Sequence, residues 1–179
     1  MHLRGRPVIL CLALAAVLSA CGGGSVGVSV GDFDEDDPFA FHPPRSSGLP
    51  AAVTVSAATD PAFNGTYASA NVWLSPVFRF GGDPQTCRFR FAGLPQAGDQ
   101  RVLEGEIRYL PGTAQLHRVQ VVINGFDFRL AGTAGASVDR AGHLVTFDGA
   151  VLTGVEGTMG TLTLTGTIPL RAADKPVGC

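Results

Sequence analysis

From about residue 50 onward the apolar positions of this chain recur with a period of two, the signature of β-strands with one buried face. In the last segment Leu162, Leu164, Ile168 and Leu170 fall on one face and Thr161, Thr163, Thr165 and Thr167 on the other. Upstream, Cys87, Phe89 and Phe91 alternate with Arg88 and Arg90, and Phe78 and Phe80 flank Arg79. No window of about 11 residues or more beyond position 21 repeats apolar residues at helical spacing between caps, so the pattern predicts little helix.

Turn chemistry fixes part of the pairing. Asn124 and Gly125 separate two alternating runs, and both central residues of a type I′ turn need positive φ, which these two types tolerate. A two-residue loop there sets Ile123 opposite Phe126, Val121 opposite Phe128 and Val119 opposite Leu130, an apolar face. The other face receives Gln120 with Arg129 and Val122 with Asp127, which suits solvent. Asp148 and Gly149 predict a second hairpin, pairing Phe147 with Ala150 and Val145 with Leu152, although its opposite face is mixed.

Runs bounded by Gly, Pro, Asn or Asp predict about eight strands, near 52–58, 66–75, 87–93, 101–110, 116–123, 126–132, 143–153 as a hairpin, and 160–170. About 130 residues in one antiparallel system suffice for a single core. The expected fold is all-β, a single antiparallel β-sandwich, with a small closed β-barrel as the alternative.

The first 50 residues read differently. Arg4 and Arg6 form a positive n-region, Pro7 to Leu18 an apolar core, and Leu18, Ser19, Ala20 and Cys21 a lipobox. This segment resembles the signals of bacterial lipoproteins, whose cysteine is diacylated on sulfur with chains such as palmitate, becomes residue one, and is acylated again on its amine. The resemblance covers residues 1–21 and implies a signal peptide at 1–20 and lipidation at Cys21. Two or three acyl chains, at about 0.8 kcal/mol per buried CH₂, hold a protein at a membrane essentially permanently. Gly22 stands where Asp would favour inner-membrane retention in that class. The resemblance thus implies a lipid-anchored protein of the cell outer membrane, facing the periplasm. No second apolar run of about 18 residues follows.

Residues 21–49 hold a Gly/Ser/Val tract, an acidic run (Asp32, Asp34, Glu35, Asp36, Asp37) and a Pro/Ser/Gly stretch, which together predict a flexible tether before a domain at 50–179. The acidic run fails as a calcium loop, because a loop from Asp32 needs Gly at 37 and Glu at 43 and finds Asp37 and Pro43. Phe33, Phe39 and Phe41 flank those acids and suit docking on the domain or a partner. With Arg4 and Arg6 removed, 11 basic residues face 15 acidic ones, and from residue 50 the two signs balance at ten each. No basic face that tracks phosphates is visible, so nucleic acid is excluded as an expected partner.

Beyond Cys21 the mature chain keeps Cys87 and Cys179, and an even pair outside the cytoplasm reads most economically as a disulfide. Two free thiols, or an intermolecular bond through Cys179, are the alternatives. The absence of a C-x-x-C leaves thioredoxin-like exchange without support.

Metal, cofactor and catalytic constellations are missing. His42, His117 and His143 are scattered, with no H-E-x-x-H or G-x-S-x-G spacing. Glu104 and Glu106 share a strand face and, with Arg108 beside them, read as a solvated surface rather than a carboxylate pair. Asn64, Gly65 and Thr66 fit a turn better than a glycosylation acceptor. The expected function is non-catalytic: a β domain binding an envelope protein, glycan or small ligand, or serving envelope assembly. Trp73, Tyr67 and Tyr109 are its candidate contacts, since they join apolar area to a polar handle. The alternative is a periplasmic hydrolase with a dispersed site, which a pocket joining His117 or His143 to two carboxylates would favour.

Overall fold

The computed structural model describes residues 43–179 apart from 131 and 174. Residues 1–42, with Cys21, His42 and the acidic run among them, lie outside the described residues. The strands are β1 (Arg45–Ser46), β2 (Ala51–Ser56), β3 (Gly65–Ser69), β4 (Trp73–Leu74), β5 (Phe78–Phe80), β6 (Thr86–Pro95), β7 (Val102–Tyr109), β8 (Leu116–Ile123), β9 (Phe126–Leu130), β10 (Ala136–Asp139), β11 (Leu144–Gly154) and β12 (Thr161–Pro169). Among the described residues the only helical element is a 3-10 turn at Pro61–Phe63.

All pairings are antiparallel and form one sheet in the order β1-β4-β6-β7-β8-β9-β11-β12-β2-β3, with β5 beside β6 and β10 beside β11. The sheet curls into a half-barrel, and Tyr67 on β3 meets Gln96, just past β6, in an isolated bridge. From β6 to β12 each strand lies beside the next long strand in sequence, and β12 then pairs with β2. The all-β antiparallel class expected from periodicity is the one observed. Its form lies between the two expected architectures, because the curl of one continuous sheet, rather than a second sheet, covers the core.

The core follows from the pleat. Side chains at alternate positions of a strand point to one face, and Val53, Val55, Phe89, Phe91, Ile107, Val119, Val121, Phe128, Phe147, Leu152, Leu162 and Leu164 all turn inward and are buried. Gly105 leaves room there: a Cβ at this position would meet Gln120 O at 2.2 Å and the Phe91 ring at 3.0 Å.

The hairpin at Asn124–Gly125 forms as the turn residues predict. Both have positive φ, 49° and 84°, and the register pairs Ile123 with Phe126, Val122 with Asp127, Val121 with Phe128 and Gln120 with Arg129. It stops there, because Leu130 pairs with Leu152 on β11. Phe126 remains 49% exposed at the hairpin tip, with its ring 5.3 Å from that of Phe63.

Two expectations are corrected. Asp148–Gly149 is not a hairpin turn; β11 runs straight through it, and the register against β12 slips between Asp148 and Ala150. Gly149 has φ 70°, the left-handed residue of a β-bulge, a role the same dipeptide fills as readily as a turn. Beyond the bulge β11 changes partner from β10 to β9. The strand expected over 66–75 is broken, since β3 pairs with β2 whereas β4 pairs with β1 and β6. The break is held by Ser69 Oγ, which accepts from Asn71 N, and by Asn71 Oδ1, which accepts from Gly48 N at 2.7 Å. Ahead of residue 50, β1 pairs Arg45 with Leu74 and Ser46 with Trp73.

Cys87 and Cys179 form a disulfide with Cα atoms 5.7 Å apart across a sequence separation of 92. Tyr109 OH donates to Cys179 O at 3.0 Å, so bond and hydrogen bond together fasten the C-terminal residue to β6 and β7. In urea denaturation, replacing both cysteines with Ser is expected to lower stability by about 4–5 kcal/mol, the entropy of opening a loop of this length. Phe128→Ala should cost about 3–5 kcal/mol and Phe126→Ala less than half as much; equal costs would contradict the hairpin's burial pattern.

Candidate functional site

The alternation that buries Phe89 and Phe91 sends Arg88 and Arg90 to the outer face of the sheet, and β7, β8 and β9 continue that face. Cross-strand pairing lines its residues up in rows. One row runs Phe78, Arg88, Arg108, Arg118 across β5 to β8. The next runs Arg90, Glu106, Gln120, Arg129 across β6 to β9. A third holds Glu104, Val122 and Asp127. The first two rows thus carry five arginines and one carboxylate.

Like charges directly opposite on neighbouring strands repel, and Arg88, Arg108 and Arg118 are directly opposite in turn. Glu106 is the group that makes this tolerable. Its Oε2 accepts from Arg88 Nη2 at 2.5 Å, its Oε1 from Arg108 Nε at 2.6 Å, and Arg90 Nε lies 3.8 Å from Oε2. Phe80 on β5 adds a ring whose centroid is 4.5 Å from the Arg108 guanidinium carbon and 5.0 Å from that of Arg88.

Although they stand on the outer face, Arg88 and Glu106 are only 4% and 9% exposed. Burial alone would raise the Glu106 pKa, but hydrogen bonds and charge from Arg88 and Arg108 outweigh it and hold the carboxyl below its usual range. Asp127 is shifted the other way: burial and the nearby Glu156 raise it. Gln120 joins the two ends, accepting from Arg118 Nη2 at 2.7 Å and donating to Asp127 Oδ2 at 2.6 Å.

Among the described residues, Arg118 forms no ion pair with a carboxylate. Its hydrogen bond goes to a neutral amide, its Nε is buried without a hydrogen-bond acceptor, and burial together with Arg129 and Arg108 disfavours its charge. Arg129 Nη2 lies 3.5 Å from Glu156 Oε1 while its Nε is likewise buried without an acceptor. This arrangement can receive carboxylates through planar, bidentate guanidinium contacts.

The residues singled out in the sequence fall elsewhere. Trp73 is 54% exposed on β4, paired with Ala92 two positions beyond Arg90, so it borders the arginine face. Tyr67 and Tyr109 are fully buried. Tyr67 OH donates to Phe63 O or Gln96 Oε1, and burial pushes the Tyr109 hydroxyl up to about 12; both serve the core rather than a surface contact. Glu104 and Glu106 do share a face, but the expected solvated surface is a buried ion cluster at Glu106. His117 is exposed on β8, and His143 Nδ1 lies 2.8 Å from Lys175 Nζ. Among the described residues no three His, Cys, Asp or Glu side chains gather as a metal site. No protein-family model, curated protein or solved structure matches this chain.

The two shifted carboxyls give opposite expectations. Glu106 has a depressed folded pKa, so its stabilisation is present above the unfolded carboxylate range and is lost as pH falls through the folded value. Glu106→Gln should therefore cost about 3 kcal/mol at neutral pH, since it removes the carboxylate bonded to two largely buried guanidiniums, and the difference from wild type should shrink in acid. Asp127 has a raised pKa and opposes folding once ionised, so Asp127→Asn should leave the urea midpoint at pH 7 unchanged or raise it. A fall for both variants would contradict the assignment.

Proposed function

We propose that this chain is a lipid-anchored lipoprotein of the bacterial cell envelope, held through Cys21 in the outer membrane and facing the periplasm. Its β domain is a non-catalytic binding module whose working surface is the arginine face of β6 to β9. The lipobox supports the anchor. The observation that carries the binding reading is the alignment of Arg88, Arg108 and Arg118 across three adjacent strands, where among the described residues Glu106 bonds Arg88 and Arg108 and no carboxylate bonds Arg118.

Such an array is unfavourable for stability alone, and it suits an acidic protein segment that adds carboxylates where the sheet lacks them. The bordering aromatics, Phe80 and the exposed Trp73, fit a segment that interleaves acids with aromatic residues. Binding by a face of this kind falls steeply with ionic strength.

Metabolic labelling with a fatty-acid analogue should mark the wild type and leave Cys21→Ser unlabelled; equal label on both would remove the lipoprotein reading. For the face, the probe is a twelve-residue glutamate-rich peptide followed by calorimetry. Arg118→Gln with Arg129→Gln should weaken its binding by about tenfold, in line with the loss of charge-assisted hydrogen bonds. Unchanged affinity would remove this surface as the site.

A further inference from the structure

The arginine face has a ready occupant in the chain itself. We propose that the acidic run Asp32–Asp37 docks on the rows formed by Arg88, Arg108 and Arg118 and by Arg90 and Arg129, with the neighbouring Phe33, Phe39 and Phe41 against the aromatics at its border. This rests on reading that face as an acid-binding surface, and it adds a cis competitor that an external acidic partner must displace.

Three observations carry the inference. The first is charge: five acids occupy six consecutive positions, Asp32 to Asp37, with Phe33 among them. On the face, Arg118 pairs with no carboxylate among the described residues.

The second is direction. β1 is antiparallel to β4 and β4 to β6, so β1 runs parallel to β6, with Arg45 and Leu74 level with Phe91. β1 therefore enters the sheet from the end of β6 that carries Arg90 and Arg88. The third is reach. Asp37 precedes Arg45 by eight residues, which span at most about 26 Å when extended, several times the roughly 4.8 Å between neighbouring strands. A segment on so short a connection has an effective concentration on the order of millimolar, enough to compete with a free ligand.

The test uses the full detergent-solubilised chain in two forms, wild type and a variant with Asp32→Asn, Asp34→Asn, Glu35→Gln, Asp36→Asn and Asp37→Asn. The probe is a synthetic peptide of residues 31–42, added in trans and followed by calorimetry and by Trp73, the sole tryptophan. The neutralised variant should bind the peptide with an affinity that falls at least tenfold between low and moderate salt. Wild type should bind it at least tenfold more weakly, because its own segment occupies the face. Adding Arg118→Gln to the neutralised variant should weaken peptide binding at least fivefold.

Equal binding by wild type and neutralised variant would overturn the cis docking while leaving the face as an acid-binding surface. No binding by either form would overturn both. Binding that Arg118→Gln leaves unchanged would place the segment elsewhere and overturn the proposal.

Discussion

Glu106 is the interaction on which the outer face depends. One carboxylate, buried on the outside of a sheet, accepts from Arg88 and Arg108 and faces Arg90. Without it, Arg88 and Arg108 on adjacent strands would lose the carboxylate that bonds both. Coulomb repulsion at such separations in a partly desolvated layer amounts to several kcal/mol per pair before relaxation. The antiparallel meander supplies the register that creates this problem, and Glu106 supplies the local remedy. The remedy is incomplete at Arg118, and that residual imbalance is the feature on which function is read.

The inner face obeys a simpler constraint. A single curled sheet must fill its own concavity, so large aromatics (Phe89, Phe91, Phe128, Phe147 and the two tyrosines) take the space that a second sheet fills in a sandwich. Gly105 opposite Phe91 and the bulge at Gly149 adjust the curvature and let β11 serve two neighbours. The disulfide and the Tyr109 hydrogen bond then close the C-terminal end against β6 and β7. Filling of this kind leaves polar chemistry to the outside, where the arginine rows stand.

Much of this is legible in the sequence. The alternation of Phe89 and Phe91 with Arg88 and Arg90 assigned their faces, Asn124–Gly125 set the register of one hairpin to the residue, and two cysteines implied their bond. The arginine rows were not legible. They depend on registers set by connections of six residues, between Pro95 and Val102 and between Tyr109 and Leu116, whose geometry no dipeptide signals. For the same reason Glu106 read as solvated: its partners include Arg88 and Arg90 on β6, which its own strand does not reveal, as well as Arg108 on β7. Asp148–Gly149 misled because a left-handed glycine serves a bulge and a turn alike, and the break at 70–72 was hidden because Ser69 and Asn71 end one strand without Gly or Pro.

The central claim, that the outer face of β6 to β9 receives carboxylates, is tested most directly by the arginine Nε–Hε resonances of the acid-neutralised full chain during titration with a glutamate-rich peptide. The account predicts that Arg118, Arg129 and Arg108 shift together along one saturating curve, that moderate salt reverses the shifts, and that the backbone amides of Val121 and Phe128 stay near their starting positions. Shifts absent at these arginines, or centred on the opposite half of the sheet around β12 and β2, would contradict it.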